Sequence, residues 1–440
     1  MSKLFKFQLA LCGLGFCAGL AVSVARAETL DFDHVLQAAI SHSYDLKIAQ
    51  TDIGISKTDV MAARSQYFPV IQARGSVERL RNLQTQPGSV ATINNMVLPY
   101  GTRFQNTVGL SLNHTITDFG VRKRKLDIAK QEVKVKSQAY EQQLRNIKYS
   151  VVDAYCKALI NYKSLKAAEA VLTLTQNVYQ MKKRLYQSQA IPKVDMAEEA
   201  IQLAQALDDI EVYRQKLSES LDGLSLLTRD SYEPADIELL NFQDSELGNL
   251  PVFNENLTPE AKMYDLQIQQ KQEEVELLKR QYLPQISMYS YYNLYGYDLD
   301  HLNKAIGNLG QRSVNLGLSV SLPVFDGFKN LAAIKKAELE KQKLALQKED
   351  KLADMKNQVA VLTSQAQGYS VQLKTKAVIL NKTQDKMSML QRLSDQQVIE
   401  QAESVKEHIQ RIQRQLQVES SIIQGVAAMK KLQFISIGQS

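Results

Sequence analysis

Tryptophan is missing from this chain of 440 residues, and histidine (5 residues), cysteine (3) and proline (9) are sparse. No two histidines fall at metal-ligand spacing, and there is no C-x-x-C, H-E-x-x-H, glycine-rich phosphate loop or G-x-S-x-G. Those absences remove the common routes to zinc chemistry, nucleotide binding and serine hydrolysis. The sequence therefore reads as a non-enzyme that needs no cofactor and no metal. A strong charge bias is missing too. With 53 Lys and Arg against 47 Asp and Glu, the formal charge is only +6, which argues against a dedicated nucleic-acid surface. The basic run Arg122-Lys123-Arg124-Lys125 accordingly reads as a solvated or lipid-headgroup face.

What is present begins with an address. Lys3 and Lys6 form a basic start, Leu9 to Val24 an apolar run, and Ala25-Arg26-Ala27 a small-residue cleavage pattern. Residues 1–27 are read as a signal peptide, with the mature chain beginning at Glu28. A single membrane anchor is the weaker reading, because the run is short for a span and small residues close it. Cleavage removes Lys3, Lys6 and Arg26, leaving 50 basic residues against 47 acidic and a formal charge of +3. It also removes Cys12 and Cys17, so Cys156 has no intrachain disulfide partner. After the leader, no apolar run approaches the ~20 residues of a spanning helix. An exported chain of this kind is either soluble or part of a β-barrel.

A long internal repeat follows. Gln66-Tyr67-Phe68-Pro69 recurs as Gln281-Tyr282-Leu283-Pro284, at an offset of 215. The segment from Leu112 to Gly120, ending Thr117-Asp118-Phe119-Gly120, recurs from Val320 to Phe328 as Val-Ser-Leu-Pro-Val-Phe-Asp-Gly-Phe, at an offset of 208. Residues 28–228 and 257–440 are thus two copies of one half-domain, and 229–256 a Pro- and Asp-containing linker. Each half reads helix, strand, loop, strand, long helix, turn, helix. Pro69 and Pro284 end a helix and start a strand, since proline lacks the donor a helix interior requires. Ile71, Ala73 and Val77 alternate with polar residues, as do Val108, Leu110 and Leu112, and Val314 to Leu322. The segment from Gln285 to Tyr295 is tyrosine-rich and alternates less cleanly. These are period-2 strands of membrane length, ~10 residues each.

The helical stretches are long. Neither Gly nor Pro interrupts Val121 to Ile191, which permits a rod of roughly 100 Å. Ile147, Val151, Ala154 and Ala158 step by three and four, as do Val359, Leu362, Ala366, Tyr369 and Leu373. Helices expected from Phe32 to Ser65 and Lys193 to Thr228 together match the first long helix. Those from Pro259 to Gln281 and Gln397 to Lys431 nearly match the second.

Four strands cannot close a barrel, and an open sheet edge is not tolerated in lipid. The smallest transmembrane barrels need about 8 strands, so at least two copies are required; three would give twelve strands and an open lumen. The two Y-[FL]-P junctions, Thr117-Asp118-Phe119-Gly120 and Leu322-Pro323-Val324-Phe325-Asp326-Gly327, in this order and spacing, resemble the TolC-like outer membrane efflux protein family. The resemblance covers essentially all of the mature chain. It implies a mixed α and β membrane protein: a homotrimer with a twelve-stranded outer membrane β-barrel, four strands per chain, continuous with an α-helical tunnel of coiled-coil helices in the periplasm. It also implies an exit duct for a tripartite efflux pump or type I secretion system, served by an inner membrane transporter and a periplasmic adaptor. Two departures stand out: Thr115 replaces the family's usual proline, and both hairpin turns lack its usual glycine.

The resemblance also assigns sites. Glu400 and Glu403, three apart on one helical face, align with the family's pore-facing carboxylates at the periplasmic tip. In a trimer they would form two stacked rings that favour cations; the plainer reading is a solvated glutamate face. The residues that lock the gate in some members fall on Gln391 and Gln396 here. Pro69, Pro284, Gly120 and Gly327 mark the helix–strand junctions, and Pro192, Asp195, Ser394 and Asp395 the turns that contact an adaptor. Tyr67, Tyr282, Phe119 and Phe325 read either as an interfacial aromatic belt or as packing at the junction. A periplasmic coiled-coil adaptor or a structural protein is the alternative, but neither needs four symmetric membrane-length strands.

Overall fold

The computed structural model describes residues 28–79, 91–93, 96–98, 104–235, 237–242, 253–395 and 401–436. The leader lies outside them. The helices are α1 (Phe32–His42), α2 (Tyr44–Ser65), α3 (Val121–Gln187), α4 (Lys193–Thr228), α5 (Pro259–Arg280), α6 (Leu302–Gly307), α7 (Lys329–Asp395) and α8 (Gln401–Ser436). The strands are β1 (Glu28–Leu30), β2 (Val70–Arg79), β3 (Ala91–Ile93), β4 (Met96–Leu98), β5 (Phe104–Thr117), β6 (Ile237–Leu239), β7 (Gln285–Asp298) and β8 (Gln311–Ser321). Both long helices, α3 and α7, have 67 residues, and both α4 and α8 have 36. At ~1.5 Å per residue the long pair spans ~100 Å. The first helix was expected to be continuous and is not. Ser43 takes extended backbone (φ −62°, ψ 119°), ends α1, and caps α2 by accepting from the Leu46 N–H at 3.3 Å.

Four strands form one antiparallel sheet in the order β2-β5-β7-β8. The helices form a strip with the same order. Both α2 and α4 pack on α3; α5 and α8 also pack on α3; and α7 touches α5 and α8. Since α2 leads into β2, β5 into α3, α5 into β7 and β8 into α7, sheet and strip are continuous. One free edge carries β2, α2 and α4, and the other carries β8 and α7. The expected seam of Val359, Leu362 and Ala366 packs on Ala428, Met429 and Leu432 of α8.

Halfway along α3, between α2 and α4, the wall is completed by α1 and a parallel pairing of β1 with β6, Leu30 opposite Leu239. Tyr155 seals this splice. Its ring meets Phe32 and Phe242 at 5.6 and 5.4 Å between centroids. Its hydroxyl lies 3.0 and 2.7 Å from the carbonyl oxygens of Leu30 and Leu240. Beside it, burial pushes the Cys156 thiol up to about 12. A second anchor ties the halves together: Arg145 of α3 forms a buried ion pair with Glu260 in the first turn of α5. Desolvation holds Arg145 below its ordinary value and pushes the neighbouring Tyr149 phenol up to about 12.

Candidate pore wall and helix–strand junctions

Strand register sorts the sheet into two unlike faces. Ile71, Val77, Val108, Leu110, Tyr292, Val314, Leu316, Leu318 and Val320 share one face. It is open: Val314 and Leu316 are 71% and 73% exposed, a load of apolar surface suited to lipid tails. The opposite face carries Gln72, Arg74, Ser76, Thr107, Ser111, Tyr289, Tyr291, Asn293, Tyr295 and Asn315. That face is hollow, with a cavity of about 940 Å³ lined by Arg74, Ser111, Tyr291, Asn293 and Asn315 among others. An apolar outer wall around a polar concave one is the arrangement of a membrane pore. Among the described residues, no helix is long and apolar enough to cross a membrane, and no group of three or more His, Cys, Asp or Glu is placed to hold a metal.

Below the sheet, chain direction changes at two pairs of junctions. Entering the sheet, α2 ends at Ser65, Phe68 N donates to the Ser65 carbonyl (3.0 Å), and Pro69 directly precedes β2. The second copy repeats this: Leu283 N donates to the Arg280 carbonyl (3.0 Å), and Pro284 directly precedes β7. Leaving it, each copy uses two successive left-handed residues, Phe119 (φ 50°) and Gly120 (φ 97°), then Gly327 (φ 66°) and Phe328 (φ 65°). Glycine adopts this region freely; phenylalanine does so only under constraint. The constraint is visible. Asp118 accepts from Gly120 N at 3.1 Å and from Arg122 N and Nε, both at 2.9 Å. Arg122 also reaches the carbonyls of Gln66 and Ile116, both at 3.2 Å, and lies over the Tyr67 ring. Arg280 donates to the Phe119 carbonyl at 2.6 Å. In the second copy Asp326 accepts from Asn330 N, and Asn330 Nδ2 donates to the Leu278 carbonyl, both at 2.9 Å. The repeat offset maps Asp118 on Asp326 and Arg122 on Asn330. Sequence reading placed Arg122 on a solvated or lipid-headgroup face, whereas its side chain is nearly buried in the turn. It passed over Asn330 and Arg280, and the Asp at i with a donor at i+4 was the available signal for Arg122 and Asn330.

Tyr67, Tyr282, Phe119 and Phe325 are all at least 40% exposed. Each is partly covered by its own chain: Tyr67 lies under Arg122, and Phe325 meets Phe328 edge-on at 5.5 Å. At the far end, α3 closes with Gln189 at φ 60°, where the expected glycine is missing, and Ala190 N donates to the Leu185 carbonyl at 2.8 Å. Pro192 is exposed at the N-cap of α4; Asp195 is half-buried in its first turn. Ser394 and Asp395 fall in the last turn of α7, and Glu403 in the first turn of α8. Glu400 lies outside the described residues, as does the turn between those helices.

Known proteins with this arrangement were found by sequence and by structure. Residues 35–228 and 258–421 match the outer membrane efflux protein family. The chain belongs to that family. No curated protein matches the sequence. Among solved structures, that of CusC superposes with a TM-score of 0.75 at 15% identity, over 92% of this chain and 91% of that one. The CmeC outer membrane channel of Campylobacter jejuni gives 0.72 at 16%, over 93% and 86%. The open-state MtrE outer membrane channel of Neisseria gonorrhoeae gives 0.67 at 15%, over 100% and 98%. As a member of this family the protein is an outer membrane exit duct for efflux, reaching into the periplasm, and is not an enzyme.

Proposed function

We propose that three copies close the duct, each contributing four strands to a twelve-stranded barrel and one strip of helices to a periplasmic tunnel. The observation that carries this is the pair of free edges, which run through sheet and helix layer alike. In lipid, the unpaired backbone of β2 and β8 needs another copy, and the exposed Ile48, Ile55 and Met61 of α2 need an apolar partner. Export is passive in this reading, and the energy comes from an inner membrane transporter reached through a periplasmic adaptor. Efflux pump and type I secretion system both fit. The adaptor meets the hairpin turns, through Pro192 and Asp195 in the first and Ser394 and Asp395 in the second. Residues 28–228 and 257–440 act as two repeats joined by 229–256, and Pro69, Gly120, Pro284 and Gly327 set where tunnel becomes barrel.

Cross-linking followed by mass measurement in detergent tests the assembly. Three copies are expected, and a monomer that inserts stably in bilayers sinks the reading. At the tip, Glu400 and Glu403 form the two carboxylate rings that select cations. Replacing both with alanine should weaken cation selectivity in single-channel recordings without changing trimer yield. Unaltered selectivity in a well-assembled variant makes them ordinary surface glutamates.

A further inference from the structure

The hollow face of the sheet holds side chains that a plain water-filled bore does not require. Cross-strand pairing places Arg74, Gly109, Asn293 and Ser313 in one row, and Gln72, Ser111, Tyr291 and Asn315 in the next. Arg74 and the tyrosine strand stand two strand spacings apart, about 10 Å. Gly109 leaves the ground between them clear. Asn293 uses it, with Oδ1 only 2.1 Å from where a Cβ on Gly109 would sit, so the floor is a carboxamide lying flat. The Tyr295 hydroxyl holds that carboxamide by accepting from Asn293 Nδ2 at 3.1 Å.

The two walls differ in chemistry. On one side Arg74 is exposed, and its guanidinium donates to Gln72 Oε1 at 2.9 Å. No carboxylate pairs with it among the described residues, and the cavity lining contains no Asp or Glu. On the other side Tyr291 lines the cavity, half-buried, its ring 5.5 Å from that of Tyr289 and tilted by 37°. Tyr289 in turn lies on Gly317, ring atoms 2.4 Å from where a Cβ would be. A guanidinium fork grips a carboxylate through two parallel N–H donors, and a tyrosine face takes a planar ring. The floor between them supplies amide and hydroxyl groups, with little for an aliphatic chain to bury against.

We propose that these two adjacent rows form a binding station for aromatic carboxylates on their way out, one per copy: Arg74 takes the carboxylate, Tyr291 the ring, and Asn293 forms the floor. The station rests on the duct reading, because only a closed barrel makes this face an inner wall. The chain contains no tryptophan, so a fluorescent aromatic acid is read against little protein background. Purified trimer titrated with 2-naphthoate should raise the probe's anisotropy saturably, and cyclohexanecarboxylate should compete at least tenfold more weakly. Arg74→Gln and Tyr291→Leu should each weaken naphthoate binding by roughly tenfold. Tyr292→Leu, on the opposite face, should leave it unchanged. Absence of saturable binding, equal competition by the saturated acid, or binding that Arg74→Gln and Tyr291→Leu leave intact overturns the station. The mass of the same preparation separates the two readings. A trimer that does not bind removes the station alone, whereas a monomer removes duct and station together.

Discussion

The two long helices have equal lengths and unlike surroundings. α3 is packed over its middle two-thirds, burying Val135, Ile147, Val151, Tyr155, Leu159, Leu165 and Val178. α7 meets neighbours along one side only. Of its side chains Ala337, Met355 and Ala366 are buried, whereas Leu331, Leu339, Leu346, Val371 and Val378 are each more than half exposed. The exposed positions step by eight and seven from Leu331 to Leu346, the spacing of a coiled-coil seam. One helix has its seams filled by its own chain, and the other fills one seam with α8 and leaves a second open, the one the proposed assembly would use. Folding and assembly are thereby divided between two segments that duplication made alike.

The sharpest way to break this division is to charge the open seam. Glutamate at both Leu339 and Leu346 should abolish trimers while leaving helix content unchanged, because each position forfeits about 1.5–3 kcal/mol of apolar burial and would bury a charge instead. Light scattering with circular dichroism reads both, and normal trimers would overturn the assignment of α7 to the interface. Next in size is the interior contact of α3. Glu260→Ala strands Arg145, whose side chain is 10% exposed, and should cost about 3–5 kcal/mol. The unfolding midpoint should fall accordingly, and Arg145→Met added to Glu260→Leu should restore most of the loss. A small effect of Glu260→Ala would mean that the halves are joined elsewhere.

Smaller effects separate the return junctions. Asp118 accepts three hydrogen bonds within its turn, whereas Asp326 accepts one from Asn330. Asp118→Ala should therefore cost about 1–2 kcal/mol and Asp326→Ala about half that, a ranking that denaturant titration checks. The smallest readout is chemical. With its thiol pushed up to about 12, Cys156 stays protonated until far above neutral pH and should alkylate at well under a hundredth of the free-thiol rate at pH 8. A cysteine at Val378 in α7, on a Cys156→Ser background, should label readily in dissociated chains and become protected in trimers.

Much of the architecture was legible because its elements are long. α4 spans Lys193–Thr228 as expected, and the alternation of Val314 to Val320 marks β8. The misses are short or local. Ser43 breaks the first helix with one side-chain cap, and a serine within a helical pattern does not announce that role. β1 and β6 have three residues each, too few for any period, and lie more than 200 residues apart. β7 runs on to Asp298 because its polar end still pairs with Phe104 and Gln105 of β5. At the junctions the prolines and Gly120 and Gly327 were readable as breakers. The left-handed phenylalanines were not: at Phe119 the local bonds of Asp118 and a reach from Arg280 hold the turn, and at Phe328 the bond of Asp326 to Asn330 does. The tip glutamates could be placed only through the family resemblance.

Equal helix lengths in the two copies also restrict how such a duct can change its reach. One residue inserted into α3 turns everything beyond it by about 100° and advances it by ~1.5 Å, carrying its seam away from α4 and α8. Seven residues bring the seam nearly back. The insertion then has to be matched in α4, α7 and α8, or one side of the wall ends before the other. Depth across the periplasm is therefore granular: the tunnel grows or shortens in increments of ~10.5 Å, each taken by four helices of every copy at once.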